Sequence, residues 1–506
     1  MSPNQQRKSV LVMNRKKVPV LGFVGLLLCV AVSLFATGSR IKNLQPFRDP
    51  TGYVATFNTG GNIDESTTFF QQLGTNGRTC ATCHQADQAF GLDLAHVQQL
   101  FLQTKGEDPL FAPIDGANCP SGKQGNVADH SLLLHNGLIR VGITLPPGPE
   151  FQIAVVSDPY GCAITTDPVA GRPIVSVYRR PLPTTSLHFL STVMFDGRET
   201  LSLLNNEQTF DANLRTDLTH QALDATLTHA QATTNPTDHQ LAEIVNFELG
   251  LFTAQIADDK AGLLYQYGAR GGPLVLQSQY YYPGINDSLG GDPHGLKFDP
   301  HVFNIFAAWS AAPETQSSTS SETEAQARAS IAARELLFNT APLKIAAVRG
   351  LNDNPALGNP DVIQGTCSTC HDAPNVGDHS FPLPLDIATS HPTKYETNRI
   401  ISAGLAELSP PNVPVYLITN CPDPKNPGKT LTFYTTDPGK GLVSGKCVDV
   451  NRGKGPILHG LAARAPYFHN GSAANLNQLV NFYNQRFQMK LTEQQKHDLA
   501  AFLNSL

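Results

Sequence analysis

The feature that most constrains this 506-residue chain is a motif that occurs twice, TCATCH at residues 79–84 and TCSTCH at residues 366–371. In C-x-x-C-H the two cysteine sulfurs can add to the vinyl groups of a haem, while the adjacent imidazole reaches the iron. A lone C-x-x-C would also suit a redox dithiol or a zinc ion. The histidine after each pair and the duplication favour haem. We therefore predict two covalently bound haem c groups, held by Cys80, Cys83 and His84 and by Cys367, Cys370 and His371, with His84 and His371 as iron ligands.

The duplicated motif implies two homologous halves, each with a helix before its motif. Residues 66–73 carry apolar side chains at helical spacing, and residues 322–338 are rich in Ala, Glu, Gln and Arg, which are good helix formers. Residues 311–324 are mostly Ser, Thr, Glu and Ala, a composition typical of an exposed linker. We expect one haem domain at 39–310 and another at 325–506.

The remaining chain predicts a mixture of loops and short strands around these helices. Stretches rich in Gly and Pro at 106–171 and 412–449 contain short β-branched runs, which favour hairpins. The last residues begin with Thr492 and Gln495 at capping-box spacing and continue with apolar residues at helical spacing, which indicates a C-terminal helix. The predicted fold class is mainly α, with two cytochrome c-like haem domains and β-hairpin and loop inserts.

The N-terminus has the composition of an export signal. Residues 1–17 contain five Lys or Arg and no acid, and residues 18–36 form an uncharged apolar run. This pattern predicts a signal peptide at 1–38, or a membrane anchor as the alternative, and hence a periplasmic protein or one anchored to the inner membrane. The formal net charge of −6 speaks against nucleic acid as a partner.

Four further cysteines lie outside the leader and the two motifs, namely Cys119, Cys162, Cys421 and Cys447. An even number of cysteines in an exported protein favours disulfides. Sequence order suggests Cys119 with Cys162 and Cys421 with Cys447. Other pairings, or free cysteines, remain open.

Two further motifs carry a resemblance to a known family. They are FDGRE at 195–199 and APYFHNG at 465–471, the latter followed by the helix-like NLNQLVNFYNQRF. With the paired haem motifs, they make most of the chain after residue 60 resemble the bacterial dihaem cytochrome c peroxidases and their MauG-like relatives.

The resemblance implies a sixth ligand for the iron of the second haem. In the peroxidases a methionine lies fourteen residues beyond the histidine of the A-P-Y-F-H motif. Counting from His469 gives Tyr483, and MauG-like proteins have tyrosine there. Met489 is the rival ligand, and a packed helix residue is the structural alternative. Phe195 stands where the family has a tryptophan between its haems, and the pair Asp196 and Arg198 would hold the turn.

The resemblance also implies a peroxide pocket and a calcium site. Gln221 matches the family's pocket glutamine, but Gln231 stands ten residues later in place of a catalytic glutamate, which leaves His229 as a candidate acid–base. A polar helix face is the alternative for these residues. Calcium is a further candidate cofactor, although Arg180 stands where the family has an asparagine ligand. Carbonyls of Arg464 and Pro466 would supply the remaining oxygens.

By this resemblance the chain is a periplasmic dihaem peroxidase that reduces hydrogen peroxide with electrons from a small donor protein, either a cytochrome c or a cupredoxin. One alternative is a MauG-like oxidase of a protein or organic substrate, which Tyr483 favours. The other is a non-enzymatic electron carrier, which the missing glutamate and tryptophan favour.

Overall fold

The computed structural model describes residues 39–202, 206–310, 322–423 and 426–506. Residues 39–506 form one compact unit. The predicted leader and residues 311–321 of the predicted linker lie outside the described ranges, and the division into haem domains at 39–310 and 325–506 stays a prediction. Within those ranges no helix combines the length and apolar character needed to cross a membrane.

Two of the helices begin at a capping box. Thr237 and Gln240 form a capping box before α5, and Thr492 and Gln495 form the predicted one before α11. These contacts satisfy backbone N–H groups that have no partner within the helix. The helices of the described ranges are α1 (Leu94–Thr104), α2 (Pro113–Gly116), α3 (Ser131–Asn136), α4 (Phe210–Thr228), α5 (Asp238–Leu249), α6 (Pro273–Gln277), α7 (Glu322–Thr340), α8 (Arg399–Leu405), α9 (Gly441–Ser444), α10 (Leu476–Arg486) and α11 (Glu493–Asn504).

Within the described ranges the strands form five small antiparallel sheets, ordered β1-β4, β10-β9-β3-β2, β11-β12, β14-β13-β6 and β5-β8-β7. Their bounds are β1 (Arg40–Ile41), β2 (Phe47–Asp49), β3 (Gly52–Asn58), β4 (Ile63–Asp64), β5 (Ile139–Thr144), β6 (Gln152–Ser157), β7 (Ile164–Thr166), β8 (Pro173–Arg179), β9 (Leu251–Asp258), β10 (Gly262–Leu263), β11 (Leu343–Ala346), β12 (Val362–Gly365), β13 (Val415–Pro422) and β14 (Thr430–Thr435).

The prediction of a mainly α fold is wrong. The fold is mixed α/β, with 32% helix and 17% strand among the described residues. The predicted helix at 66–73 contains only the 3-10 turn Thr68–Phe70. The inserts at 106–171 and 412–449 form more than isolated hairpins, because β6 of the first pairs with β13 of the second. Alternating apolar side chains of these two inserts share one core, which hairpins alone could not bury.

Three hydrophobic clusters position the site. The largest contains the buried Trp309, and the cysteines of the second motif pack against it. A second cluster surrounds Phe69 and Phe90 and packs against Cys80. The third lies between the two three-stranded sheets.

Both predicted disulfides are confirmed. Cys119 is bonded to Cys162, and Cys421 is bonded to Cys447. The second bond lies inside the cluster between the two three-stranded sheets, where both of its cysteines are buried.

Candidate functional site

The two C-x-x-C-H motifs fold in the same way. Each forms a 3-10 turn, Cys80–Thr82 and Cys367–Thr369, that begins with a capping box made by two threonines. The backbone N–H of His84 then donates to the carbonyl of Cys80 at 3.1 Å, and the second motif repeats this bond at the same distance. One short turn therefore presents two sulfurs and one imidazole.

Both motif histidines are held in the orientation that an iron ligand needs. His84 Nδ1 lies 3.3 Å from the carbonyl oxygen of Phe90, and His371 Nδ1 lies 2.6 Å from that of Gly377. Burial lowers the pKa of each imidazole to about 4, so each is neutral. With the proton on Nδ1, the lone pair of Nε2 is available to a metal.

The thiols do not match a redox dithiol or a zinc site. Burial raises the pKa of Cys80 to about 12 and that of Cys83 to about 11, whereas a reactive dithiol needs a depressed thiol pKa. The described residues contain no group of three or more His, Cys, Asp or Glu side chains arranged to hold a metal ion. Thioether attachment of a haem requires neither a depressed thiol pKa nor such a group of metal-binding side chains.

A cavity of about 220 Å³ opens beside the first motif and is lined by all three of its functional residues. Gln221 and His229 also line this cavity, at the middle and the C-terminal end of α4. Most of the remaining wall is apolar, which suits a macrocycle. We call this space the first cavity. The structure therefore brings together His84, Gln221 and His229.

Gln231 does not line the first cavity. It follows the end of α4 with a left-handed φ of 55°, and its side-chain oxygen accepts from the amide of Asn76 at 3.3 Å. An amide held against another amide is a structural contact. The predicted assignment of Gln231 to the peroxide pocket has no support in this geometry.

His229 belongs to a polar network that the sequence did not predict. Its Nδ1 lies 2.9 Å from Asp115 Oδ2, and the same carboxylate oxygen accepts from Arg78 Nη1 at 2.7 Å. Arg78 also donates to the carbonyls of Pro109, Leu110 and Ala112. A carboxylate fixed in this way orients the imidazole, as in the base–orienter pairs of many enzymes.

A buried carboxyl group, Glu248, also faces the first cavity. Its Oε1 accepts from the hydroxyl of Thr184 at 2.8 Å, while Oε2 has no partner among the described residues. Burial raises the pKa of Glu248 to about 7. The cavity wall thus holds a carboxyl group that can exchange a proton near neutral pH.

Tyr483 lies beside the second motif. With Cys367 and Cys370 it packs against the largest hydrophobic cluster, and its ring stacks on Phe487. Burial raises the pKa of its phenol above the ordinary value, so only a strong electrophile such as a metal would deprotonate it. The rival Met489 is buried in the same cluster.

Phe195 is held between a cation and an imidazole. Its ring stacks on His469 with centroids 4.5 Å apart and planes 13° apart, and the Arg179 guanidinium lies 5.0 Å from the centroid. A Cβ on Gly453 would come within 2.3 Å of the ring, so glycine is required there. Asp196 pairs with Arg198 as expected, and more closely with Arg179. Phe195 does not line the first cavity.

The residues at the candidate calcium site do not fit the ion. Nη1 of Arg180 donates to the carbonyl of Gly137 at 3.1 Å, and Nη2 donates to those of Arg464 at 3.2 Å, Ala465 at 3.3 Å and Leu92. A Cβ on Gly137 would collide with this guanidinium. The Arg180 guanidinium thus binds the carbonyl oxygens that calcium would need, including that of Arg464. The other carbonyl that it contacts in this segment belongs to Ala465, whereas the resemblance implied Pro466.

Sequence comparison adds two matches to this geometry. A family model described as RoxA-like, cytochrome c-like, matches residues 454–489. That segment holds part of the cavity wall, the A-P-Y-F-H motif and Tyr483. The matches support a haem protein of the cytochrome c class.

The second match is the cytochrome-c peroxidase IdrP2 of Denitromonas iodatirespirans, which is 33% identical over 16% of this chain. The chain spans 28% of the length of this curated relative. A cytochrome c-like segment implies haem c as the cofactor, and the relative suggests an oxidoreductase.

Sequence reasoning missed Asp115, Arg78, Glu248 and Lys454 as members of the cavity wall. Arg78 could have been noticed because it lies two residues before Cys80. Asp115 and Glu248 had no such signal, because one lies in a Gly- and Pro-rich insert and the other in an ordinary amphipathic helix. Only tertiary structure brings them to the motif.

Proposed function

We propose that this protein is an exported dihaem peroxidase that reduces hydrogen peroxide with electrons from a small donor protein. The observation that carries the proposal is the difference between the two motifs. The first opens onto a cavity of about 220 Å³ with polar groups in its wall, whereas Tyr483 packs beside the second. A haem iron with an open sixth position can bind and activate peroxide, whereas a six-coordinate iron transfers electrons.

In this proposal the residues of the first cavity bind peroxide and move its protons. The amide of Gln221 would orient the bound molecule. His229, oriented by Asp115 at 2.9 Å, would take a proton from one peroxide oxygen and deliver it to the other. Reduction of one peroxide to two waters takes up two protons and two electrons, so the site also needs a proton donor, and Glu248 is placed to serve.

The second motif would supply the electrons, and the segment 454–459 links it to the first cavity. Ile457 lines the cavity, while the N–H of Leu458 donates to Val376 O at 3.2 Å in the loop after His371. His459 lines the same cavity and lies 2.7 Å from Asn375 O. These two hydrogen bonds support electron transfer between the two haem sites. Export to the periplasm is supported separately by the basic and apolar N-terminal leader.

A matched pair of histidine variants tests the proposal. His229→Gln removes the proton carrier from the cavity wall, and His239→Gln removes an imidazole that is 83% exposed on α5. We expect His229→Gln to slow oxidation of reduced cytochrome c by peroxide about 10²-fold or more, and His239→Gln to leave it unchanged. Stopped-flow absorbance measures both rates. Equal rates in the two variants, or no peroxide reaction in the wild type, would refute the proposal.

A MauG-like oxidase is the second candidate, favoured by the packing of Tyr483 beside the second motif. A phenolate ligand stabilises oxidised iron and would let the second haem store oxidising equivalents. This candidate predicts a rapid reaction with peroxide that does not oxidise reduced cytochrome c. The same stopped-flow experiment therefore separates the two functions.

A further inference from the structure

Three cationic side chains line the first cavity, and they differ in how far their donors are used. Arg78 donates to Asp115 and to several carbonyls. Arg464 donates to the carbonyls of Gly460, Ile457 and His459. Lys454 makes one hydrogen bond, from Nζ to the carbonyl of Thr192 at 3.1 Å. Two of its three N–H donors therefore remain available.

Lys454 also lacks an anionic partner. No carboxylate of the described ranges lies within ion-pair distance of its Nζ, and the carboxylates that act on it electrostatically are Asp378 and Asp196. Asp196 is paired with two arginines. Asp378 is buried, and burial raises its pKa well above the ordinary value, which leaves it a poor counter-ion.

The surroundings of Lys454 destabilise the charged form of its side chain. The side chain is half-buried, and desolvation lowers its pKa to about 8. It lines both the first cavity and a small neighbouring cavity, whose walls include Asp378 and His379. A cation in such a place is normally paired, so a carboxylate supplied by a ligand would complete this site.

We propose that the Lys454 ammonium binds a propionate carboxylate of the haem attached to Cys80 and Cys83, and thereby raises the reduction potential of that haem. A haem carries two propionates, and the rest of the cavity wall is mostly apolar. A cation beside the macrocycle favours the ferrous state, because reduction adds a negative charge. The inference rests on the covalent haem of the proposed function and not on its reaction with peroxide.

Three variants of the full chain test this site. Lys454→Met removes the positive charge but keeps the apolar stem. Lys454→Gln replaces the charged ammonium by a neutral polar amide, and Lys454→Arg retains the positive charge. The matched control is Lys446→Met, which removes an exposed lysine. Haem content is measured first, since a wild type without haem at the first motif would refute the proposed function itself.

Spectroelectrochemical titration then gives the midpoint potentials, and resonance Raman spectra report the propionate bending band. We expect Lys454→Met and Lys454→Gln to lower the reduction equilibrium constant of one haem about tenfold, so that its midpoint potential falls by about 59 mV for one electron. Both variants should also shift the propionate band. Lys454→Arg and Lys446→Met should retain the wild-type values. Unchanged potentials and band in either uncharged variant, or equal shifts with arginine, would overturn the inference.

Discussion

His391 is a partly buried imidazole held between two carboxylates. Its Nδ1 lies 2.6 Å from Glu396 Oε2, and its Nε2 lies 3.0 Å from Asp386 Oδ2. Burial by itself would lower the pKa of His391, but the two carboxylates outweigh it and raise the pKa to about 9. The side chain is therefore an imidazolium at neutral pH, and both ring nitrogens donate.

This arrangement predicts a pH dependence of stability. The imidazolium stabilises the folded state, and this stabilisation is complete below the unfolded pKa of 6.5 and is lost as pH rises through about 9. The free energy of unfolding should fall by roughly 3 kcal/mol over this range. Denaturant unfolding at pH 6 to 10 measures it. His391→Gln should flatten this decline, whereas His239→Gln, at an exposed site, should not. An equal decline in His391→Gln and the wild type would show that another group titrates.

Tyr483 gives a prediction about the second haem. If the phenolate is the sixth ligand, Tyr483→Phe removes it and changes the absorption and electron paramagnetic resonance spectra of one haem. Met489→Leu, in the same cluster, serves as the control because it leaves the phenol in place. A changed spectrum in Met489→Leu together with an unchanged one in Tyr483→Phe would assign the ligand to the methionine.

Among the elements, Arg180 joins segments that are far apart in sequence. It follows β8 and donates to carbonyls at Leu92, at Gly137 beyond α3 and at residues 464 and 465. Burial lowers the pKa of Arg180 to about 10, so the group remains a cation at neutral pH. It thus supplies internally the charge that a bound metal ion would otherwise bring.

We expect a chelator to leave thermal unfolding of the wild type unchanged. Arg180→Met should lower the free energy of unfolding by roughly 3 kcal/mol or more, since several buried carbonyls lose a charged donor. Unfolding monitored by circular dichroism, with and without chelator, measures both effects. Destabilisation of the wild type by the chelator, reversed by added calcium, would contradict the assignment.

The disulfide Cys421–Cys447 belongs to the two packed sheets and not to the haem motifs. Replacing both cysteines by serine should lower the free energy of unfolding by about 2–4 kcal/mol, while haem content and spectra stay unchanged. Denaturant unfolding and a haem assay test this. Loss of haem would show that the sheets support the site directly.

The sequence predicted elements well only where local signals were strong. The capping box at Thr492 and the composition of 322–338 correctly predicted α11 and α7. The apolar spacing at 66–73 did not produce a helix. A segment of eight residues is too short to be a stable helix by itself, and its two phenylalanines pack against Phe90 and Phe247 instead. The pairing of β6 with β13 joins residues more than 250 positions apart, and no local pattern encodes it.

For the whole molecule, the motifs fixed where a haem can attach, and the fold decides how the two sites differ. Cys80 and His84 were readable from spacing alone. The partner of His229 was not, because Asp115 reaches it only through the insert before α3. Lys454 likewise could not be recognised as a haem-binding candidate from the sequence, because only the fold brings it to the wall of the first cavity.

We propose that the first haem site is open and that the second is closed by a protein ligand. Electron paramagnetic resonance of the oxidised protein, before and after addition of cyanide, tests it most directly. We predict one high-spin and one low-spin haem, with cyanide converting only the high-spin signal, and His84→Ala abolishing that conversion. Two low-spin haems that ignore cyanide, or conversion of both signals, would contradict the account.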